Sequence, residues 1–403
     1  MIEEAVSAGK VMDAEVVGTP RKILLVRGGA LSSYSGLGGA FHDLRTSLEH
    51  SSIPNWSLAG VLEYDLGEHA PGWKRLWWRW VAHPRRVRKA IRAAEQTGQV
   101  DAVLVTDQEQ AHLIPRSTSL PVMVYVHDFF HLFPQQLELS GERLEIGELR
   151  PSAVRRRDLR QLMRGLHRAD AFICNSQDTA SLCRTHFPAT PADWVPFGLE
   201  VASYAPPVPL PESPQPLRER RCHFLVVGSH DPRKRLKFLI NMLASLPQEV
   251  LNQLRVHHIG GNTCPYGGAS ADVLASDAGV PWTYVGSGIS DELLNHYRWH
   301  TEALLFPSAA EGFGFPPVES MAAGQPVLAS DRPAHNGLIP KGSGLDAEDA
   351  GVWANAVKDA ITAWVQRDGQ PRPVATDLMD HVAFLAPERF HRDMSEAWDR
   401  HCS

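Results

Sequence analysis

Two carboxylates stand eight residues apart in Glu311-Gly-Phe-Gly-Phe-Pro-Pro-Val-Glu319. Ala303-Leu-Leu-Phe-Pro307, just before them, is a short apolar run that reads as a buried strand. Gly312 and Gly314 let the backbone turn tightly and approach a ligand. Pro316 and Pro317 suit the first positions of a helix, Val318 to Ala323 its body, and Gly324 its end. The open N–H groups of such a helix start carry partial positive charge and can seat a diphosphate. Glu311 would then accept hydroxyls from one end of a ligand and Glu319 from the other. An ordinary strand–turn–helix, with Glu319 merely favouring the helix dipole, fits the same residues.

Three more stretches carry reactive groups. Phe224-Leu-Val-Val-Gly228-Ser229-His-Asp-Pro-Arg233-Lys234-Arg235 passes from a strand through a loop into a basic run. Cations at a helix start oppose its dipole, which argues for an anionic partner; a solvated helix start is the plainer reading. Val124-Tyr-Val-His127-Asp128 sets a His-Asp pair after an apolar strand, with His131 as an alternative imidazole. A histidine there is often structural. Ser35-Gly36-Leu37-Gly38-Gly39 reads as a glycine loop after strand Ile23–Val26. Gly286 and Gly288 follow another apolar run, where Ser290-Asp-Glu also suits a helix N-cap.

These groups need elements to hold them. Ile23–Val26, Val103–Thr106, Val122–Val126, Ala171–Cys174 and Trp194–Pro196 read as buried strands, with helical patterns such as Ser152–His167 between them. After Ala205–Pro216, a stretch with six prolines, the alternation restarts. Phe224–Val227, Val256–Ile259, Trp282–Val285, Ala303–Phe306 and Pro326–Ala329 form the second series. Strands alternating with helices imply parallel sheets covered on both faces. Ligands of such sheets bind beyond the carboxyl ends of the strands, where His127, Gly228, Gly286 and Glu311 all fall.

The ordered motifs resemble the GT4 family of retaining glycosyltransferases, the carboxylate pair matching its E-x7-E element. The His-Asp element is similar to that of mannosyl- and rhamnosyltransferase-like members. The resemblance implies the GT-B fold, an α/β architecture of two Rossmann-like doubly wound domains facing a central cleft. The expected division is an acceptor-side domain over 1–204, a linker over 205–220 and a donor domain over 221–385. A last helix near 386–403 is expected to cross back to the first domain. By resemblance, Glu311 contacts the transferred sugar, Glu319 the ribose, and Lys234 with Arg233 the diphosphate. Gly228, Ser229, Gly286, Gly312, Phe313, Gly314 and Phe315 join them around the donor, and Gly38 and Gly39 face the cleft. His127 is implied to touch the sugar, and Asp128 is the candidate acceptor base. The family often has an arginine where this chain has Ser229, so Arg233 or Arg235 is expected to supply that charge. No Asp-x-Asp motif occurs, which fits metal-independent transfer from a GDP-, UDP- or dTDP-sugar as co-substrate, with no cofactor. A glycan or lipid-linked acceptor and a place in polysaccharide or lipopolysaccharide biosynthesis are implied. A sugar-nucleotide epimerase of the same fold and a non-catalytic nucleotide-sugar-binding protein are the alternatives. A nicotinamide enzyme is disfavoured, because no complete G-x-G-x-x-G fingerprint lies between strand and helix.

Composition agrees. At 403 residues two domains are expected. A net charge of −6 gives no support for a nucleic-acid partner. Five scattered cysteines with no CxxC suggest neither a disulfide framework nor a zinc site. With an acidic N-terminus and no long apolar run, a cytoplasmic setting is expected. Trp73 to Arg92 holds four tryptophans and eight basic residues without one acid. That mixture suits an anionic membrane surface, with peripheral attachment to the inner face. A helix packing its tryptophans inward, with its arginines in water, is the plainer reading.

Overall fold

The computed structural model describes residues 19–29, 36–67 and 69–402. Residues 1–18, whose sequence reads as part of a loose tail over 1–20, lie outside them, as does Ser35. Strands β1 (Arg21–Gly29), β2 (Trp56–Tyr64), β3 (Ala102–Val105), β4 (Val122–Val126), β5 (Gln135–Leu139), β6 (Glu142–Ile146), β7 (Ala171–Cys174) and β8 (Ala192–Trp194) occupy the first half. All but β5 and β6 form one parallel sheet in the order β2-β1-β3-β4-β7-β8. The second half contributes β9 (Cys222–Val227), β10 (Leu254–Ile259), β11 (Trp282–Gly286), β12 (Ala303–Phe306) and β13 (Val327–Ala329). They form a parallel sheet in the order β11-β10-β9-β12-β13. Every residue of β3, β4, β7 and β12 is buried, the condition of a strand covered on both faces. The molecule is therefore an α/β protein of two Rossmann-like units, the GT-B arrangement.

Strand order fixes where ligands can enter. In the second sheet the strand order reverses between β9 and β12, so the loops after these two strands flank its switch point. These are the Gly228 loop and the Glu311 turn. In the first sheet the reversal lies at β1 and β3, one strand from His127.

Three sequence expectations need correction. Trp194–Pro196 is not the strand; β8 ends at Trp194, and Pro196 could not donate to a ladder in any case. Gly38 and Gly39 do not lie in a loop but in the first turn of helix Gly36–Glu49. Arg233 and Lys234 are not in a helix start: they sit in a single 3-10 turn capped by Asp231, and helix Leu236–Ala244 follows. Strand β2 and the β5–β6 hairpin were not anticipated.

Two elements tie the halves together. Helix Pro387–His401 returns to the first sheet, where the Trp398 ring meets that of Trp56 edge-on at 5.4 Å. Asp399 accepts the Trp56 indole N–H at 3.0 Å, and the Ser395 hydroxyl donates to the Pro54 carbonyl at 2.7 Å. The hairpin reaches the opposite way. Leu139, Leu144 and Ile146 cluster with Ala309, and the Ser140 hydroxyl donates to the carbonyls of Ala347 and Glu348.

Candidate active site

The Glu311 turn and the His127–Asp128 segment come from different units and touch. A Cβ built on Gly312 would lie 2.4 Å from the His127 carbonyl oxygen and 3.3 Å from the Asp128 Cβ. Glycine is therefore required at 312 by close approach. At Gly314 the requirement is a positive φ of 116°, which sets the chain into helix Phe315–Ala322.

Glu311 is buried and held by three donors. Lys234 Nζ and the Ser308 hydroxyl donate to Oε1 at 2.5 and 2.6 Å, and Arg233 donates to Oε2 at 2.8 Å. Burial alone would raise its pKa, but Lys234 and Arg233 outweigh it and hold the carboxyl at about 2. Burial pushes Lys234 the other way, downward, and the Glu311 charge offsets part of that. A carboxylate has about four lone-pair positions, so Oε2 keeps room for a ligand hydroxyl. Gly228, with φ 145°, lets its loop lie against Lys234: a Cβ there would meet the lysine Cε at 3.6 Å.

The basic run divides by role. Arg233 also donates to the Ala310 carbonyl at 2.9 Å and stacks over Phe130. Arg235 instead turns away, donating to the Ala347 carbonyl and to Ser140 Oγ and stacking on Phe238. Of the two, Arg233 reaches Glu311 and Arg235 does not; Ser229 is neutral and exposed. Arg233 and Lys234 are no solvated helix start; Lys237 is the exposed member.

Glu319, on the second turn of its helix, bonds to Arg298. Arg298 is buried, donates to Asn295 Oδ1 at 2.7 Å and stands 5.3 Å from the Tyr204 ring centre. Its helix, Asp291–His300, begins at Ser290, whose hydroxyl accepts from the Leu293 N–H. Ser290 is thus an N-cap, and Gly286 ends β11 one turn ahead of it, its carbonyl accepting from the Gly260 N–H at 2.9 Å.

His127 is neutral. Its Nε2–H donates to the Thr106 carbonyl at 2.9 Å, and burial lowers its pKa to about 4. With Nε2 donating, Nδ1 is an acceptor. Its backbone N–H is fixed by Gln108 Oε1 at 2.9 Å. Asp128 accepts from the Phe130 N–H at 3.2 Å, and burial raises its pKa. His131 is exposed. Phe313 and Phe315 pack with Phe197 at centroid separations of 5.1 Å each, and His127 stacks on the same Phe197 ring at 5.7 Å. The rings of the two phenylalanines are thus spent on the aromatic contact between units. A Cβ built on Gly36 would meet the Phe315 ring at 3.8 Å, so the start of helix Gly36–Glu49 lies beside that ring, with Gly38 buried in its first turn. Arg298, Ser308, Gln108 and Phe197 had no signal in the sequence, since each acts through a residue distant along the chain.

The arrangement offers fixed cations and a helix N-terminus on one side and a neutral imidazole with a carboxylate on the other. Two family models match the chain, one described as Glycosyltransferase Family 4 over residues 59–203 and one as glycosyl transferases group 1 over residues 221–363. A stretch of 58 residues is 40% identical to the O-antigen chain mannosyltransferase of Salmonella typhimurium, covering 14% of this chain and 16% of that protein. Another of 84 residues is 38% identical to the MMP alpha-(1->4)-mannosyltransferase of Mycolicibacterium hassiacum, covering 21% and 20%. The chain thus aligns with a fifth or less of these relatives' length. Among solved structures, sucrose-phosphate synthase from Thermosynechococcus elongatus superposes with a TM-score of 0.67 at 18% identity, covering 94% of this chain and 98% of that one. An Anabaena protein in complex with UDP superposes at 0.62 and 15% identity, covering 94% and 100%. At these identities the likeness is one of fold.

Proposed function

Because the chain belongs to the GT4-type glycosyltransferases, we propose that it moves a hexose or deoxyhexose from a nucleotide diphosphate sugar to a glycan or lipid-linked acceptor, with retention at the anomeric carbon and without a metal ion. The observation that carries this reading is the grip of Lys234 and Arg233 on Glu311, closed against His127 and Asp128 of the other unit.

In this reading the diphosphate lies over the N-terminus of helix Phe315–Ala322, beside Lys234 and Arg233. As the bond from the anomeric carbon to the diphosphate breaks, its electron pair leaves on the phosphate oxygen. Preorganised cations and N–H dipoles stabilise that charge, and losing one such group costs roughly 3 kcal/mol. The acceptor oxygen forms the new bond on the same face, and Asp128 takes its proton. Glu311 Oε2 and His127 Nδ1 receive sugar hydroxyls, and Glu319 receives those of the ribose. Gly286, Ser229 and Gly228 shape the wall around the base and phosphates. Metal independence, in this reading, has Lys234 and Arg233 supplying the positive charge that a metal ion would otherwise bring. The named mannosyltransferase relatives make mannosyl donors the first to try, and favour a role in polysaccharide or lipopolysaccharide assembly.

A panel of GDP-, UDP- and dTDP-sugars, with and without EDTA, tests this. Donor hydrolysis or transfer that survives EDTA is expected with one nucleotide class. Folded protein that binds and turns over none of them would sink the proposal. A product epimerised without any acceptor would point to the other chemistry of this fold.

A further inference from the structure

The site above leaves Trp73–Arg92 unused. This segment lies in one continuous helix from Gly72 to Thr97, interrupted by a π turn at Trp78–Ala82. On its inner side, Trp80 Nε1 donates to Asp158 at 3.0 Å, Arg79 donates to both Asp158 oxygens at 2.8 Å, and the Trp78 ring leans on Tyr64. Two of the four tryptophans thus serve the fold. Trp73 and Trp77, one turn apart, remain 71% and 48% exposed, with Leu76 beside them at 39%. Past the π turn, Arg85, Arg88, Lys89 and Arg92 line one shallow surface concavity.

The π turn aligns these two groups. At 100° per α residue and about 85° per π residue, Trp73, Trp77, Arg85, Arg88 and Arg92 fall within roughly a quarter of the helix circumference. The buried His83, Val87, Ile91 and Ala94 fall on the opposite side. The stripe also stands near the cleft. His83 donates to the Arg27 carbonyl at the carboxyl end of β1, and Arg79 donates to the Glu109 carbonyl in the turn after β3. His127 follows β4 at the same end of the sheet.

We propose that this face docks on an anionic lipid bilayer. Trp73, Leu76 and Trp77 enter the interface, where aromatic rings with one polar edge are favoured. Arg85, Arg88, Lys89 and Arg92 meet the phosphate headgroups, and the helix lies along the surface with the cleft mouth at headgroup level. No described helix is long and apolar enough to cross a membrane. A lipid-linked acceptor would then be reached without leaving its bilayer.

Flotation with vesicles of phosphatidylcholine alone or mixed with phosphatidylglycerol tests this. The whole chain should float with the anionic vesicles, and less so in high salt. Each basic residue near such a surface is worth about fivefold in partition, so Arg85→Glu with Arg88→Glu and Arg92→Glu should lose at least a hundredfold. Trp73→Ser with Trp77→Ser should also release the protein. Both variants should keep their far-ultraviolet circular dichroism and donor hydrolysis, which separates this failure from failure of the transferase reading. No flotation, equal flotation with neutral vesicles, flotation indifferent to both variants, or binding to a soluble polyanion such as heparin but not to vesicles would each overturn the proposal.

Discussion

The carbonyl oxygen of His127 lies 2.4 Å from the point where a side chain on Gly312 would begin. The two residues come from opposite units, so this contact sets how closely the cleft can shut. Gly312→Ala must push the units apart by about an ångström, because neither backbone can yield as a flexible side chain would. Misplacement on that scale can cost about a hundredfold in rate. Transfer should fall by that order while nucleotide affinity, measured by calorimetry, changes by less than about threefold. Equal loss of both would mean that the contact serves donor binding and not closure.

Glu311 and Glu319 should separate kinetically. Glu311→Ala is expected to abolish transfer yet bind nucleotide better than Glu319→Ala does. The reverse ranking of nucleotide affinities would exchange their roles.

Glu311 also makes stability depend on acid. Its folded pKa of about 2 lies below the ordinary 4.5, so its contribution is fully present above 4.5 and is lost as pH falls towards 2. Leaving Lys234 and Arg233 buried without this charge, as in Glu311→Gln, should cost about 3–5 kcal/mol at neutral pH. Denaturant titrations should show the gap to the wild type narrowing by roughly 3 kcal/mol between pH 5 and 2. A gap independent of pH would show that the carboxyl is not held ionised by its partners.

Arg298 bonds to Glu319, the residue proposed to receive the ribose. Arg298→Leu keeps the bulk but frees the carboxylate, and should weaken nucleotide binding about tenfold with kcat nearly unchanged. Arg298→Lys should recover part of the affinity. A matching fall in kcat, with affinity intact, would argue against a positioning role.

His127 has a folded pKa of about 4 against an ordinary 6.5. It stays neutral from about pH 5 upward, so kcat/KM should show no limb near 6.5 that belongs to it. A wild-type limb near 6.5 that vanishes in His127→Gln would contradict the burial argument. The same depression makes its contribution to stability full above 6.5 and lost as pH falls through 4.

The sheets were legible because their strands are apolar throughout. Val122–Val126, Ala171–Cys174 and Ala303–Phe306 match the observed limits residue for residue. Strand β2 was not, because Trp56 to Tyr64 mixes Ser, Gly and Glu into a half-exposed edge strand. The β5–β6 hairpin did carry a signal: Leu137, Leu139, Leu144 and Ile146 alternate with charged or amide residues around Ser140-Gly141. Glu311, Lys234 and His127 stood out by their motifs; Lys234 bonds to Glu311, and the His127 carbonyl lies against Gly312. Arg298 was not, since Asn-His-Tyr-Arg on an amphipathic helix looks the same whether the arginine faces water or a carboxylate. Arg235 shows the converse: adjacent to two site cations, it serves the hairpin instead, because a left-handed φ of 55° turns it out of their line.

The return of the last helix has a consequence for biosynthesis. The hydrogen bond from Trp56 to Asp399 joins residues 343 positions apart. A ribosome adding roughly 5–20 residues per second needs on the order of tens of seconds to cover that interval. Through all of it the nascent N-terminal sheet carries an uncovered tryptophan face, open to chaperones and to neighbouring chains on the same message. Ribosome-bound chains stalled ahead of residue 387 should be cut by protease near Trp56, and chains released beyond residue 399 should not.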